Sequence, residues 1–383
     1  MDARQPATRQ KRHRRVAVGR PGAHRGWAPW LESAHLPRSA AGPLVLRVTD
    51  RAEIGNDHTL IYHPPLLVVG VGCERGADPH EALDLVHATL RDAGLAEGAV
   101  AAVVSVDLKA DEPAIHTVAA ALKVPARFFD APTLEAETPR LETPSEVVFQ
   151  EIGCHGVAEA AALAATGVGG RLLVSKRKSA RVTCAVARAP GPLDASVIGR
   201  RRGRLAIVGL GPGQTSWRTP EVDVLLRRSQ DLVGYRTYLD MIGPLAEDQT
   251  RHDFDLGAEE ARCRAALELA ATGRAVALVS SGDPGIYAMA TLVFELLGRE
   301  ERPDWRRVEI IVSPGISALQ AAAARAGAPL GHDFCAISLS DLLTPWEIIE
   351  NGSSRRRRTI CDRALQSGFS SATPSSDKPK RFF

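Results

Sequence analysis

The residues best suited to chemistry begin with a run of glycines in the second half of the chain. Alternate positions after the apolar run Leu205–Val208 carry this residue: Gly209, Gly211 and Gly213. Glycine permits backbone angles and close approaches that a Cβ would forbid. Such a turn at the carboxyl end of a buried strand is where open α/β sheets bind ligands. The stretch therefore predicts a ligand-binding turn.

This turn does not fit the dinucleotide-binding pattern. Counted from Gly209, the pattern Gly-x-Gly-x-x-Gly requires glycine at position 214, where the chain has Gln214. Pro212 also lacks the backbone N–H that a pyrophosphate cradle would use. Thr219 and Pro220 follow, and they are typical of a helix N-cap and a first helical residue.

Two further loops of similar composition follow buried apolar runs, at residues 280–287 and 313–319. In these loops Asp283 could bind an amino or ribose group, and Ser317 could donate a hydrogen bond. Each of the two side chains could instead cap a helix. Because the carboxyl ends of parallel strands meet at one edge of a sheet, we expect the three loops to form a single site.

The first half of the chain holds other candidates. Lys109, Asp111 and Glu112 could form an acid/base group, or they could lie in a solvated loop. Cys73 could be a nucleophile, but no partner histidine follows from its spacing, so a buried thiol is favoured. A turn that contains Arg75 presents backbone donors at a strand end, although a simple tight turn is an equal alternative.

Strands alternate with helices over about residues 60–190 and again from residue 205, which predicts an α/β fold with a three-layer first domain. We expect a basic disordered segment at 1–43, a domain at 44–190, a linker at 191–204 and a second α/β region at 205–350. Residues 351–383 read as a disordered basic tail. A frameshift or truncation explains that tail better than a new domain, and a regulatory tail is the alternative.

Charge is distributed unevenly along the 383 residues. Residues 1–43 carry +7 and residues 351–383 carry +6, so the total of +3 leaves −10 for the middle. An acidic middle argues against a nucleic-acid-binding body. No apolar run reaches the roughly 18 residues of a membrane span, and the start lacks a secretory apolar core. The six cysteines form no Cys-x-x-Cys pair, so we expect free thiols in the cytoplasm and no metal site.

Four phrases of the first half resemble the C-terminal domain of the cobalamin-biosynthesis protein CbiG. They are Gly-Val-Gly-Cys-Glu-Arg-Gly at 70–76, Asp-Leu-Lys-Ala-Asp-Glu at 107–112, Pro-Ser-Glu-Val-Val at 144–148 and Ser-Lys-Arg-Lys-Ser at 175–179. A stand-alone form of this domain, CobE, accompanies the oxygen-dependent pathway. The lactone opening of the full-length family is not implied, because its other parts are not matched.

Residues 205–350 resemble the precorrin-3B C17-methyltransferase family of tetrapyrrole methylases, which use S-adenosylmethionine. The matching phrases include Val-Gly-Leu-Gly-Pro-Gly, Ser-Ser-Gly-Asp-Pro-Gly-Ile-Tyr and Pro-Gly-Ile-Ser-Ala-Leu, and the stretch from Gly331 to Trp346 points to the C17 enzyme. The resemblance implies cofactor contacts at Gly211, Pro212, Gly213, Ser281, Gly282, Asp283, Ile286, Ser317 and Ala318. The two resemblances together imply a three-layer α/β CbiG C-terminal-like domain that is followed in the sequence by the N-terminal α/β lobe of a tetrapyrrole methylase.

The implied reaction is attack by a ring carbon of precorrin-3B, or of a cobalt analogue, on the sulfonium methyl, with ring contraction. Positioning dominates such chemistry, so no catalytic base is named. The macrocycle bears carboxylates that four cations could hold: Arg236 and, in the basic bend of a hairpin predicted over residues 172–187, Lys176, Arg177 and Lys178. The resemblance also implies a homodimer. The expected partner is therefore a tetrapyrrole and a second copy of the chain, with no nucleic acid and no membrane.

The family continues past residue 346 with a second α/β half, whereas this chain continues with the basic tail. Half of a two-lobed cleft should bind the cofactor weakly. Two alternatives to a C17-methyltransferase therefore stay open: a non-catalytic protein that binds or carries corrinoid intermediates, and a methylase acting on a different tetrapyrrole.

Overall fold

The structure of the chain is a computed structural model that describes residues 16–19, 38–39, 44–331 and 334. The chain divides into two compact units, residues 1–202 and 203–383, which are described separately. The predicted tail at 351–383 lies outside the described residues, as does the predicted second α/β region beyond residue 334. No described helix has the length and apolar character needed to cross a membrane.

The first unit begins with a parallel four-stranded sheet in the order β2-β1-β3-β4. Its strands are β1 (Val16–Gly19), β2 (Arg38–Ser39), β3 (Leu44–Val48) and β4 (Thr59–Tyr62). The segment 1–43 was predicted to be disordered, which is wrong for β1 and β2; the rest of it lies outside the described residues. Backbone pairing explains the difference, because ladder hydrogen bonds between main chains do not depend on the basic composition that predicted disorder.

A second, five-stranded sheet forms the centre of the first unit, in the order β7-β6-β5-β9-β8. Its strands are β5 (Leu67–Cys73), β6 (Val100–Val106), β7 (Ala126–Phe129), β8 (Arg171–Lys178) and β9 (Val182–Arg188). The strands β5, β6 and β7 are parallel, and β9 runs antiparallel to both β5 and β8. β5 and β6 are almost wholly buried, as expected for central strands covered on both faces.

Helices cover both faces of this sheet. They are α1 (Pro79–Asp92), α2 (Pro113–Ala121), α3 (Ala131–Glu135), α4 (Glu146–Ile152) and α5 (Ala158–Thr166). One core packs α1 and α2 against the sheet through Val86 and Ile115. The other packs α5 against the opposite face through Ala160 and Ala161. The predicted three-layer α/β arrangement is confirmed.

The second unit contains a five-stranded, fully parallel sheet in the order β12-β11-β13-β10-β14. Its strands are β10 (Arg204–Gly209), β11 (Asp231–Tyr235), β12 (Thr250–Phe254), β13 (Ala275–Ser280) and β14 (Glu309–Ser313). Apolar runs predicted β10, β13 and β14, whereas β12, whose sequence is Thr-Arg-His-Asp-Phe, has no such run. A polar strand at the sheet edge needs only main-chain pairing, so hydrophobic patterning does not reveal it.

Helices also cover both faces of the second sheet. They are α6 (Pro220–Arg228), α7 (Arg236–Asp240), α8 (Glu259–Ala271), α9 (Met289–Arg299), α10 (Pro303–Arg306) and α11 (Ala318–Ala326). One core joins α8, α9 and the buried Trp305 to the sheet. The other joins Val222 and Leu226 of α6 and Leu239 of α7 to its opposite face. Thr219 caps α6 as predicted, because its side chain accepts a hydrogen bond from the N–H of Val222.

The segment predicted as a linker, 191–204, is partly held by the first unit. The N–H of Leu193 donates to the carbonyl of Pro65, and Phe128 exchanges two backbone hydrogen bonds with Arg200. Arg204 already belongs to β10. Glycine and proline in this stretch indicated a break in regular structure. Its backbone groups nevertheless form hydrogen bonds with Pro65 and with β7.

Candidate ligand-binding site

The three predicted loops follow β10, β13 and β14, which are neighbours in the second sheet. The loop after β10 pairs directly with the loop after β13: Gly282 N–H donates to the carbonyl of Gly211 at 2.8 Å, and Gly211 N–H donates back at 3.2 Å. The N–H of Leu210 also donates to the carbonyl of Ser280 at 2.9 Å. The parallel sheet thus brings the three loops to one edge.

Glycine at position 315 permits the third loop to approach the other two. A Cβ on Gly315 would lie 2.1 Å from the carbonyl oxygen of Gly282 and 2.8 Å from that of Gly209. Real Cβ atoms do not approach backbone oxygen so closely, so no other residue fits here without backbone movement. Gly282 itself has φ of +63°, the left-handed region that favours glycine. Gly282 is the point at which all three loops meet.

Asp283 joins two of the loops. Its Oδ1 accepts a hydrogen bond from Gly285 N–H at 2.7 Å, and its Oδ2 accepts one from Gly315 N–H at 3.2 Å. The following helix α9 has Ala288 as its N-cap, so the alternative interpretation of Asp283 as a helix cap is wrong. The carboxylate holds the second and third loops together, and it lies half-buried at the predicted site.

Ser317 is the N-cap of α11, as its alternative interpretation stated. Its hydroxyl accepts from Gln320 N–H at 3.2 Å, and the Gln320 side chain accepts from Ser317 N–H at 2.9 Å, which completes a capping box. The side chain of Ser317 is therefore engaged within the helix end. The same helix start presents the N–H of Ala318, which lies 3.7 Å from where a Cβ of Gly282 would be.

The remaining residues predicted to contact the cofactor lie around this junction. Pro212, Gly213, Ile286 and Ala318 are exposed, whereas Ser281 is half-buried and Gly211 is buried. Pro212 also lines a groove between the first loop and α11, together with Gln214, Trp217, Ala321, Ala322 and Arg325.

Two residues of this groove were not predicted from the sequence. The guanidinium of Arg325 lies over the indole ring of Trp217, 5.5 Å from its centroid, so the two side chains form a cation–π pair. Trp217 lies within the glycine-rich stretch, and a large aromatic residue so close to a predicted ligand turn was an available signal. Nothing in the alanine-rich sequence of α11 marks Arg325.

The cations predicted to hold substrate carboxylates are divided between the two units. Arg236 is exposed at the start of α7, directly after β11 and at the same sheet edge as the loops. Lys176, Arg177 and Lys178 belong to β8 of the first unit, so the basic bend predicted for them is wrong; the hairpin turns at residues 179–181 instead. Strand pairing explains the correction, because β8 continues alongside β9 through Lys178. Lys176 Nζ donates to the carbonyl of Thr143, and Arg177 pairs with Asp92.

The acidic candidates of the first unit are tied to one arginine. Arg75 Nη1 lies 2.6 Å from Asp111 and 3.0 Å from Glu112, and Glu112 also accepts from Gly76 N–H at 3.1 Å. Glu112 is buried rather than solvated. Burial, and next the nearby Glu112, raise the pKa of the Cys73 thiol to about 11. Cys73 is half-buried, and a thiol that stays protonated near neutral pH is a poor nucleophile, which favours the thiol interpretation over a catalytic role. Among the described residues, no His, Cys, Asp and Glu cluster could hold a metal ion.

Two protein families match the chain. Cobalamin synthesis G C-terminus matches residues 67–187. Tetrapyrrole (Corrin/Porphyrin) Methylases matches residues 204–367. The two matches fall on the first and second units respectively, and each includes the corresponding loops described above.

Named relatives match each half. Precorrin-3B C(17)-methyltransferase of Sinorhizobium sp is 44% identical over 176 residues, 45% of this chain and 67% of that protein. Cobalamin biosynthesis protein CobIJ of Mycobacterium tuberculosis (strain ATCC 25618 / H37Rv) is 51% identical over 155 residues, 39% of this chain and 29% of that protein. Protein CobE of Sinorhizobium sp is 50% identical over 121 residues, 32% of this chain and 79% of that protein.

The chain thus spans less than a third of the CobIJ relative and about two thirds of the C17-methyltransferase. CobIJ is named as a cobalamin biosynthesis protein, and the two family matches agree with the division into units. The chain belongs to the tetrapyrrole methylases through its second unit and to the family of the cobalamin synthesis G C-terminus through its first.

Proposed function

We propose that the second unit binds S-adenosylmethionine at the three loops and transfers its methyl group to C17 of precorrin-3B or a cobalt analogue, in cobalamin biosynthesis. The observation that carries the proposal is the convergence of the three loops on Gly282. The relative named precorrin-3B C(17)-methyltransferase supports the choice of substrate. The homodimer and the cytoplasmic location implied by the resemblance are part of the same proposal.

The residues at the junction fit such a cofactor. A Cβ on Gly282 would meet nothing closer than 3.7 Å, so a ligand could approach its backbone closely. The N–H groups of Ala318 and Leu319, the first two of α11, lack intrahelical partners and suit a ligand carboxylate. Asp283 supplies negative charge next to the same backbone, which suits a cationic sulfur. We assign cofactor contacts to these residues together with Gly211, Pro212, Gly213, Ser281, Ile286 and Ser317.

S-adenosylmethionine supplies a methyl group bonded to a positively charged sulfur, so the protein needs no group of its own to activate the methyl. The contribution of this chain is to orient two reactants and to exclude water between them. Asp283 holds the second and third loops together, and the glycines keep side chains out of the space between them. Arg236, exposed at the same sheet edge, is available to a substrate carboxylate.

The test is isothermal titration calorimetry of the full chain with S-adenosylmethionine and its demethylated product, followed by transfer of a labelled methyl group to precorrin-3B. We expect binding of both compounds and label in the tetrapyrrole. The absence of heat with both compounds would overturn the proposal. Binding of precorrin-3B without methyl transfer would instead support the alternative of a protein that carries corrinoid intermediates.

A pair of aspartates provides a matched control. Asp283→Asn should weaken cofactor binding at least about tenfold, because it removes a charge and disturbs two backbone hydrogen bonds. Asp255→Asn removes an exposed aspartate from the loop that precedes α8, and it should leave binding unchanged. Equal affinities for the two variants would contradict the assignment of Asp283.

A further inference from the structure

A short antiparallel pairing places two arginines side by side in the first unit. Phe128 of β7 and Arg200 donate to each other's carbonyls at 2.8 Å in both directions. The residues that flank such a pair stand opposite each other with Cβ atoms about 4.5–5.5 Å apart and side chains on one face. One flanking pair is Gly199 and Phe129: a Cβ on Gly199 would lie 3.1 Å from the Phe129 ring, which agrees with this register. On the other side the same register sets Arg201 opposite Arg127.

Arg127 is buried and forms no ion pair within the described part of the chain. Its residue is 4% exposed, and no described residue forms a hydrogen bond with its Nε. Among the described residues, none forms an ion pair with it. Burial, and next the charge of Arg201, lower the pKa of the Arg127 guanidinium, while the charge of Asp194 acts in the opposite direction and to a smaller extent. Asp194 is itself engaged, because its Oδ1 accepts from Ser196 N–H at 2.8 Å.

The other buried charges of this unit show how unusual this arrangement is. Glu159 accepts hydrogen bonds from the backbone of Glu142, Thr143 and Lys176 and from the Thr143 hydroxyl. Glu112 is paired with Arg75. Buried charges are generally paired in this way, because an unpaired one costs several kcal/mol. Arg127 lacks such a partner, and the like charge of Arg201 opposite it adds to the cost.

We propose that Arg127 and Arg201 form a binding site for a small oxyanion, a carboxylate or a phosphate. The planar guanidinium matches two oxygen atoms of one group, which favours an oxyanion over a spherical halide. Arg201 is exposed, so the site can be reached from solvent. The site lies in the first unit and is independent of the methyl transfer proposed for the second.

Thermal unfolding of the full chain tests this site. Sodium succinate and sodium phosphate are compared with sodium chloride at equal ionic strength. At ten times the dissociation constant, either oxyanion should raise the Tm of the first unit by about 3–6 °C relative to chloride. A response to succinate alone identifies a carboxylate site, and a response to phosphate alone identifies a phosphate site. A Tm that is the same in all three salts overturns the proposal.

Three variants complete the test. Arg127→Met should unfold at a higher temperature than the unmodified chain in chloride, because a buried unpaired charge is lost, and it should no longer respond to oxyanions. Arg201→Ala changes an exposed residue, and it should weaken the oxyanion response at least threefold in dissociation constant. Arg171→Ala, an exposed arginine of β8, is the matched control and should respond as the unmodified chain does. A destabilised Arg127→Met that still responds to oxyanions would show that a carboxylate of the chain itself neutralises Arg127, and would overturn the proposal.

Discussion

Replacement of Gly315 by alanine tests whether the three loops of the second unit approach as closely as described. The new Cβ would lie 2.1 Å from one carbonyl oxygen and 2.8 Å from another, those of Gly282 and Gly209. Both atoms are backbone, so no side-chain rotation relieves the contact. Overpacking of this kind costs about 1–3 kcal/mol. For a unit of this size, each kcal/mol lowers Tm by about 2–4 °C.

The loops must separate to make room for the alanine side chain at position 315, and the residues that contact the cofactor move apart with them. From the middle of the overpacking range, about 2 kcal/mol, we expect Gly315→Ala to lower Tm by about 4–8 °C. We also expect the dissociation constant for the demethylated cofactor to rise at least about tenfold, equivalent to about 1.4 kcal/mol. Circular dichroism measures the first quantity and calorimetry the second.

Gly298→Ala is the matched control for this experiment. Gly298 lies within α9, and a Cβ there would meet no atom within 4 Å. Alanine has the higher helix propensity, so this variant should be as stable as the unmodified chain or up to about 1 kcal/mol more stable, with unchanged binding. An unchanged Tm for Gly315→Ala would refute the close approach of the loops. A lowered Tm with full affinity would refute the placement of the cofactor.

Two further predictions concern ionisable groups. Burial raises the pKa of Asp231, but hydrogen bonds from Arg274 and His252 outweigh it, so the carboxyl pKa is lowered overall. At neutral pH, Asp231→Ala should lower the free energy of unfolding by about 3 kcal/mol, as measured by urea unfolding. This difference should shrink as the pH falls from the ordinary aspartate pKa of about 3.9 through the lowered pKa of Asp231. A difference that does not change with pH would contradict the role of the charge. The raised pKa of Cys73, about 11, predicts slow alkylation by iodoacetamide, with a rate that rises about tenfold per pH unit between about 8 and 10. Peptide mass spectrometry measures this site, and rapid alkylation at neutral pH would contradict the buried-thiol interpretation.

The elements around the proposed site could be predicted because their signals are local. Short apolar runs that lead into loops with glycine and proline indicated β10, β13 and β14, and Thr219 before Pro220 indicated the start of α6. These features depend on burial and on backbone angles of neighbouring residues. The expectation that the three loops meet at one sheet edge followed from the general behaviour of parallel sheets rather than from any residue.

Side-chain partners could not be predicted in the same way. Asp283 and Ser317 could each have been a helix cap, and only the structure shows that Ser317 caps α11 whereas Ala288 caps α9. Arg325 reaches Trp217 across more than 100 positions, and no local pattern connects the two. Similarly, the run from Lys176 to Lys178 reads as a basic bend until its pairing with β9 is known.

The sequence by itself determined the α/β class, the two-part organisation and the glycines on which the loops depend. These follow from hydrophobic period and from the absence of a Cβ, which are properties of the residues themselves. The tertiary structure decided which charges are paired and which are not. Asp231 is buried in an ion pair with Arg274, whereas Arg127 is buried and forms no ion pair with any described carboxylate. The energy of a charge depends on the groups around it, and folding brings those groups from distant parts of the chain.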